Sequence, residues 1–313
     1  MILAKDFIET SEGLVFAVVE SGLEQGKVLC FLRYIKSDNQ WQKLNTDQAN
    51  HFLTENYPQY LYYSSYKQAH CHAVALEEVF KRHSPKTRLK NLLADTITDE
   101  VETDLISLCQ LFKKSGFDFN QTGVTGSILI GAQKYSSDID LVFYSRDTFN
   151  LAREITQKLI SQGACSELSD KHWLESFDRR SCDISYSEYL WHEKRKFNKA
   201  VINNRKFDLT FVSETPSECA LMHYTKLGPV LLKVQVVDDS LAFDYPAEFS
   251  IQHKNIKSIV SYTATYTGQA KTGEWVEVAG QLEQASDGTK RIVVGSSREA
   301  IGEYIKVINE KIN

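Results

Sequence analysis

The sequence lacks any paired-cysteine motif, although it contains six cysteines in 313 residues. They are scattered singly, without Cys-x-x-Cys spacing, so neither a disulfide framework nor a thiolate zinc site is expected. Because a free cysteine behaves as a small apolar residue, we expect most of these side chains to be buried.

Long apolar runs are also missing. No segment approaches the roughly 18–20 apolar residues that a membrane-spanning helix needs. The first thirteen residues carry three acids and one lysine and no apolar h-region, which is not the pattern of a secretory signal. We therefore expect a cytoplasmic location and no membrane partner.

A general excess of positive charge is absent, since the formal net charge is -5. This balance argues against binding nucleic acid over the whole surface, because such affinity comes largely from neutralising phosphates. Two stretches are locally basic: Lys81–Lys90 holds five Lys or Arg and no acid, and Lys171–Lys206 holds nine against five Asp or Glu. The simplest interpretation of each stretch is a solvated helix face.

The chain shows no internal repeat, low-complexity tract or long Gly/Ser linker, so boundaries must come from changes of pattern. The expected fold class is α/β in the sense of α+β. An N-terminal α+β domain is predicted over 1–95, a central domain over 96–240 and a β-rich domain over 241–313. The last of these is expected to end in a helix over 298–311.

Local patterns predict several elements within these segments. Apolar strands are expected over 13–20 and 27–35. Apolar residues between Val101 and Phe112 recur at helical spacing. A hairpin is expected to join 200–202 to 206–212 across two consecutive asparagines.

The central chemical signal lies within residues 125–141. Gly126 and Ser127 follow an apolar strand, and after ten intervening residues Asp138 and Asp140 open the next strand. Since side chains alternate along a strand, the two aspartates project from one face and repel each other unless a cation lies between them. Such a pair suits hard ions such as Mg²⁺, and Gly126 and Ser127 suit close approach and hydrogen bonding to a phosphate.

At this point the residues resemble the DNA-polymerase-β-like nucleotidyltransferase superfamily. The signature of that superfamily is a Gly-Ser or Gly-Gly after a strand, then an Asp-x-Asp on the next strand and a third carboxylate on a later one. Residues 125–141 match it well. More loosely, the whole chain resembles a group of uncharacterised nucleotidyltransferase-domain proteins found mainly in archaea. The resemblance implies a polymerase-β-like fold for the central domain.

Two residues are candidates for the third carboxylate of that pattern. Asp208 lies between Phe207 and Leu209 on an apolar strand, 68 residues after Asp140. Asp183 is the rival candidate. Asp208 is preferred, and the choice between the two stays open at this stage.

The resemblance also implies a reaction. Asp138 and Asp140 would ligate Mg²⁺ or Mn²⁺, Asp208 would complete a second metal site, and Gly126 and Ser127 would hold the terminal phosphates of a nucleoside triphosphate such as ATP. A hydroxyl group would attack the α-phosphorus in line, with pyrophosphate leaving, and paired metals would stabilise the charge on both oxygens.

Three basic residues are candidate contacts of the triphosphate: Lys194 and Arg195 in the second basic stretch, and Lys134 in the loop before Asp138. Each has an alternative interpretation as a solvated surface charge. The preferred acceptor is an RNA 3′ end, by family analogy and because of the basic stretches; a small molecule or a protein hydroxyl is the alternative.

Two further function classes compete with nucleotidyl transfer. One is a non-catalytic nucleotide- or RNA-binding protein on the same fold. Aromatic residues of the C-terminal domain, Tyr262, Tyr266 and Trp275, would then stack bases, although such residues more often complete a core. The other class is a metal-dependent phosphohydrolase, which ranks last because no hydrolase histidine pattern accompanies the aspartates.

Overall fold

Two compact units make up the protein. A computed structural model describes residues 1–37, 40–65, 69–95, 99–214, 224–295 and 301–308. The first unit comprises Met1–Ser166 and Ala200–Ser217, and the second comprises Glu167–Lys199 and Glu218–Asn313. Helices coexist with several sheets, so the predicted α+β class is confirmed. None of the helices in the described ranges combines the length and apolarity that a membrane span requires.

The first unit opens with a seven-stranded antiparallel sheet. Its strands are β1 (Phe7–Glu9), β2 (Leu14–Val18), β3 (Lys27–Ser37), β4 (Gln40–Lys43), β5 (Leu61–Ser64), β6 (Ala69–Ala75) and β7 (Lys81–His83). The order is β5-β6-β3-β2-β1-β7, with β4 paired to β3. The strands predicted over 13–20 and 27–35 are confirmed as β2 and β3. Helix α1 (Thr46–Asn56) buries Ala49 and Leu53 in the core of this sheet.

A four-stranded sheet follows in the same unit. Its elements are α2 (Pro85–Ala94), α3 (Glu100–Lys114), β8 (Thr122–Thr125), β9 (Ile139–Phe143), α4 (Arg146–Ser161), β10 (Lys199–Ile202) and β11 (Arg205–Phe211). The strand order is β10-β11-β9-β8, in which β9 and β11 are parallel and β8 and β9 are antiparallel. Parallel neighbours need a crossover connection, and the long segment containing α4 supplies it. The predicted helix from Val101 to Phe112 is confirmed as α3.

Helix α2 approaches β8 so closely that only glycine fits between them. A Cβ atom on Gly123 would lie 2.6 Å from the backbone carbon of Pro85, whereas real contacts of a Cβ are not that short. Pro85 occupies the first turn of the helix, where its missing N–H is no loss. This contact fixes the strand that ends immediately before Gly126.

Apolar side chains join the N-terminal sheet to the four-stranded sheet within the first unit. Phe7, Val15 and Tyr34 of the N-terminal sheet form a buried cluster with Leu129, which follows β8. A second buried cluster includes Leu3 together with residues of β9 and the end of β11. The N-terminal sheet is therefore packed against the part of the chain that carries the aspartates.

The second unit is rich in β-structure. Its elements are α5 (Asp170–Arg180), α6 (Tyr186–Lys194), β12 (Tyr224–Asp238), β13 (Ala247–Ile251), β14 (Ser258–Ser261), β15 (Trp275–Ala285), β16 (Lys290–Val294) and β17 (Tyr304–Val307). The order is β12-β13-β14-β16-β15-β17, and β12 pairs additionally with β15. That extra pairing closes five strands, β12, β13, β14, β16 and β15, into a ring.

The helix predicted over 298–311 is wrong in the part of that segment that the structure describes. Tyr304–Val307 form strand β17, which pairs antiparallel with β15. Ile305 and Val307 are buried and alternate with half-buried Tyr304 and Lys306, as expected for a strand with one covered face. Pairing with an existing strand thus determines the conformation here.

The two units also divide the chain differently from the three predicted segments. Strand β12 begins at Tyr224 and belongs to the sheet of the second unit, whereas the sequence predicts that the central domain extends to residue 240. Residues 167–199, placed in the central segment by sequence, belong to the second unit. The first unit contains both the N-terminal sheet and the four-stranded sheet.

The predicted hairpin between β10 and β11 is confirmed, and its turn generates a prediction. Asn203 and Asn204 have φ values of 48° and 63°, the left-handed conformation of a type I′ turn. We expect Asn204→Gly to leave stability unchanged or slightly higher, and Asn204→Ala to cost about 1 kcal/mol, because a Cβ without local hydrogen bonding disfavours this conformation. Urea unfolding measures both. Equal stability of the two variants would contradict the assignment.

Candidate active site

Two aspartates lie side by side on parallel strands of the first unit. Asp140 of β9 is the register partner of Asp208 of β11, and on its other side Asp140 is paired with Thr125 of β8. Neighbouring strands lie about 4.8 Å apart, and register partners present their side chains on the same face. The structure therefore brings together two of the three predicted carboxylates directly.

Asp138 precedes Asp140 by two residues and lies just before β9 begins. Its side chain is exposed, and its carboxylate lies 3.6 Å from the ammonium group of Lys206. Lys206 is itself two residues before Asp208 on β11. Three acidic side chains and one lysine thus belong to the same region of the four-stranded sheet.

The carboxylates influence one another electrostatically. Burial raises the pKa of Asp140 most, the neighbouring charge of Asp208 raises it further, and Asp138 adds to the effect, giving a pKa of about 6. Lys5 and Lys43 of the N-terminal region act in the opposite direction. A proton is accordingly bound more readily here than at an ordinary surface aspartate.

Gly126 is required by the position of the Asp140 carboxylate. Its φ is +68°, and a Cβ built there would lie 2.3 Å from Oδ2 of Asp140. Any larger residue would therefore both adopt a disfavoured backbone conformation and displace the carboxylate. Ser127 follows, half-buried, in the short 3-10 turn Gly126–Ile130.

A buried ion pair holds the loop that leads into Asp138. The guanidinium group of Arg205 pairs with Asp104 of α3 at 2.7 Å and donates to the carbonyl oxygens of Tyr135 and Ser137 at 2.6 and 2.7 Å. The amide of Asn203 donates to the second oxygen of Asp104 at 2.9 Å. Arg205 therefore couples β11, α3 and this loop.

The three basic residues that were candidate contacts of the triphosphate are divided between the two units. Lys134 is exposed in the loop that Arg205 holds before Asp138, and its backbone N–H donates to the Ser137 hydroxyl at 2.9 Å. Lys194 and Arg195 belong to the second unit. There Lys194 pairs with Glu167 at 3.4 Å, and Arg195 makes two hydrogen bonds to Glu274, at 2.5 and 2.6 Å. Arg195 is thus held in a close ion pair and Lys194 in a more exposed one, and their contact with a triphosphate stays a prediction.

Asp183, the rival third carboxylate, also belongs to the second unit, where it accepts a hydrogen bond from the Gly302 N–H at 2.7 Å. Of the C-terminal aromatic residues, Tyr266 is buried and its hydroxyl donates to the Glu303 carbonyl, while Tyr262 is half-buried. Trp275 alone of the three is mostly exposed, at 52%. Tyr266 thus serves the core rather than a base-stacking surface.

The first basic stretch is largely engaged inside the first unit. Arg82 pairs with Asp6 at 2.7 Å and Lys86 with Glu214 at 2.7 Å. Arg88 pairs with Glu102 of α3 and donates to the Ile128 carbonyl at 3.0 Å. Three of its five basic side chains therefore stabilise the fold.

Sequence reasoning missed three lysines that act on the carboxylates: Lys5, Lys43 and Lys206. The sequence pattern could have indicated Lys206, because a residue two positions before Asp208 on a strand lies on the same face as Asp208. Lys5 and Lys43 carried no such signal, since the packing of the N-terminal sheet brings them to a site more than 90 residues away in sequence.

The donor set suits a hard divalent cation that is shared with a ligand. Within the described ranges, no group of three or more His, Cys, Asp or Glu side chains is close enough together to enclose a metal by itself. Mg²⁺ is usually bound through one or two carboxylates together with waters and substrate phosphates, so a complete protein cage is not required. Asp138, Asp140 and Asp208 are the residues that could provide those carboxylates.

Fold and site together define an α+β protein in which Asp140 and Asp208 are paired on a mixed sheet and Asp138 lies two residues before Asp140. The chain is similar to the uncharacterized protein MJ1086 of Methanocaldococcus jannaschii, with 34% identity over an alignment of 334 residues that covers 97% of this chain and 98% of that protein. It belongs to the same family as this archaeal protein. No protein-family model matches the chain, and no solved structure matches it.

The raised pKa of Asp140 predicts a pH-dependent cost in stability. The folded state binds more protons than the unfolded state between the ordinary pKa of 3.8 and about 6, so stability falls as pH rises through this window. We expect Asp140→Asn to be more stable than the wild type above pH 6, by on the order of 1–3 kcal/mol, and equal to it below pH 4. Urea unfolding in EDTA across this range tests it; a pH-independent difference would contradict it.

The Arg205–Asp104 pair predicts strong coupling in a double-mutant cycle. Arg205→Ala or Asp104→Ala alone leaves a buried partner uncompensated and is expected to cost about 3–5 kcal/mol. The double variant should cost much less than the sum of the two, because neither charge is then stranded. Hydrogen exchange of the loop at 133–137 should accelerate in Arg205→Ala. Additive energies with unchanged exchange would show that the pair does not hold the loop.

Proposed function

We propose that this protein is a metal-dependent nucleotidyltransferase of the DNA-polymerase-β-like superfamily. It moves a nucleoside monophosphate from a nucleoside triphosphate to a hydroxyl acceptor and releases pyrophosphate. The observation that carries the proposal is the register pairing of Asp140 with Asp208 on parallel strands, with Asp138 two residues upstream and Gly126 against the Asp140 carboxylate. These are the elements that the superfamily signature requires, in the required order.

The carboxylates supply the binding chemistry of the proposed reaction. Asp138 and Asp140 would hold one Mg²⁺ or Mn²⁺, and Asp208, beside Asp140, would complete a second position. When bound, such cations neutralise phosphate charge and favour ionisation of the attacking hydroxyl. Burial raises the pKa of Asp140 most, and the charges of Asp208 and Asp138 raise it further. A cation bound among these carboxylates would relieve their repulsion.

The segment Gly126–Ile130 supports the phosphate end of the substrate in this proposal. Gly126 has no side chain to obstruct approach to the Asp140 carboxylate. The Ser127 hydroxyl, half-buried one residue later, would donate a hydrogen bond to a phosphate oxygen. Lys206, which pairs with Asp138, and Lys134, in the loop before Asp138, are the candidates of the first unit for neutralising residual charge. Lys194 and Arg195, the other predicted contacts, belong to the second unit.

The acceptor is proposed to be an RNA 3′ end. Support for this acceptor comes from the superfamily resemblance. The surface charge adds little support, because the net charge is -5 and much of the first basic stretch is engaged in internal ion pairs. RNA binding would therefore depend on a local site rather than on the whole surface. Hydroxyl groups of a small molecule or a protein are the alternative acceptors.

The experiment that tests this proposal is transfer of label from the four α-³²P nucleoside triphosphates to total small RNA in the presence of Mg²⁺ or Mn²⁺. We expect the wild type to label RNA, and Asp140→Asn and Asp208→Asn to reduce labelling at least about 100-fold, because even outer-shell partners of a metal cost 10–100-fold. Asp183→Asn is the matched control and should retain activity.

The other function classes predict different results when nucleotide binding and the release of phosphate and pyrophosphate are measured beside the labelling. No labelling by the wild type, combined with Asp140-dependent binding of a nucleoside triphosphate, would favour a non-catalytic binding protein. Release of inorganic phosphate instead of pyrophosphate would favour a phosphohydrolase. Equal loss of activity in Asp183→Asn and Asp208→Asn would contradict the assigned third carboxylate.

A further inference from the structure

Lys5 is held beside the candidate active site by its backbone. Its carbonyl oxygen accepts a hydrogen bond of 2.7 Å from the Thr125 hydroxyl, and its N–H donates to the Val18 carbonyl at 2.9 Å. Thr125 is the register partner of Asp140 and directly precedes Gly126. The N-terminal segment is therefore attached to β8 at the point where the site begins.

The backbone conformation of Lys5 is one that lysine disfavours. Its φ is +72°, a left-handed value that glycine adopts without steric cost. Non-glycine residues in this conformation are concentrated at functional sites, where the surrounding structure imposes it. The Lys5 side chain is exposed, so packing of that side chain does not explain why glycine is absent.

Lys43 belongs to the N-terminal sheet. It ends β4, where it is the register partner of Tyr34 on β3. The Tyr34 ring lies 6.0 Å from that of Phe7, and both belong to the buried cluster that includes Leu129 in the turn after Gly126. The end of β4 is thus fixed relative to the carboxylates by a packed core.

The charges of both lysines reach the carboxylate cluster. Each lowers the pKa of Asp140, against the effects of burial and of the other aspartates. In the described part of the chain, neither ammonium group forms an ion pair within 4 Å of a carboxylate. Among the described residues, their positive charge is thus not neutralised by a close acidic partner.

We propose that Lys5 and Lys43 form a cationic wall of the active site, supplied by the N-terminal sheet, that binds the polyphosphate chain of the substrate. This inference rests on the proposed function, because it identifies the wall against which a triphosphate bound at Gly126 and Asp140 would lie. It also gives the N-terminal sheet a direct part in substrate binding.

Charge balance supports a wall of this size. Three carboxylates and a fully ionised triphosphate carry about seven negative charges, and two divalent cations supply about four positive ones. About three negative charges then remain for the protein to balance. Lys5 and Lys43, together with Lys206 at 3.6 Å from Asp138, provide that number.

The test is binding of magnesium tripolyphosphate, which has no base or ribose, measured by calorimetry on the full chain. Lys5→Gly and Lys43→Gln are expected to weaken binding about tenfold each, because each removes one charge-assisted contact. Lys5→Gly should have a melting temperature equal to or above that of the wild type, since glycine tolerates a φ of +72°.

Lys27→Gln is the matched control. Lys27 lies on the same sheet with its ammonium group 5.4 Å from the Tyr62 ring centre, and it is not among the groups that act on Asp140. Binding unchanged in Lys27→Gln but weakened in both site variants supports the inference. An equal loss in Lys27→Gln would overturn it as a general effect of charge.

Asp138→Ala separates this inference from the proposed function. If the wild type binds and Asp138→Ala does not, while Lys5→Gly and Lys43→Gln bind as tightly as the wild type, the cationic wall is overturned and the carboxylate site stands. If the wild type binds neither tripolyphosphate nor any nucleoside triphosphate with Mg²⁺ or Mn²⁺, both are overturned.

Discussion

The burial of Asp140 beside a second carboxylate is the constraint to which the supporting elements of the first unit are fitted. Asp140 is half-buried beside Asp208 on the neighbouring strand, with Asp138 two residues before it, and both burial and the neighbouring carboxylates disfavour its ionised form. The fold maintains it by fixing each supporting element: Gly123 allows α2 to lie against β8, Gly126 leaves room for the Asp140 carboxylate, and the buried pair of Arg205 secures the approach to Asp138. Packing elsewhere offsets the electrostatic cost of the site.

Much of the fold could be predicted wherever the local pattern and the tertiary structure agree. The turn residues Asn203 and Asn204 indicate a hairpin because left-handed asparagines suit a type I′ turn, and the structure contains it. The terminal segment shows the opposite case. Ile301, Ile305 and Ile308 have helical spacing, yet Ile301 is 82% exposed, and pairing with β15 makes 304–307 a strand. A partner strand distant in sequence was the missing information.

The candidate site likewise has features that the local sequence pattern predicts and features that depend on tertiary packing. Alternation along a strand predicts that Asp138 and Asp140 share a face, and the apolar neighbours of Asp208 predict that it lies on a strand of the same core. Its pairing with Asp140 could not be derived from periodicity, because parallel register is set by the crossover and the surrounding packing. The positions of Lys5 and Lys43 could not be derived from periodicity either, because they depend on how the buried cluster around Tyr34 forms.

The discontinuity of the first unit has a consequence for its biosynthesis. Between β9 and β11 the chain passes through residues 167–199, which belong to the second unit. At roughly 5–20 residues per second, a ribosome needs on the order of 3–14 seconds to proceed from Asp140 to Asp208. For that interval the nascent first unit lacks the parallel strand that pairs with β9, while part of the second unit has already been synthesised. A chain that stops before β11 therefore leaves one edge of β9 unpaired.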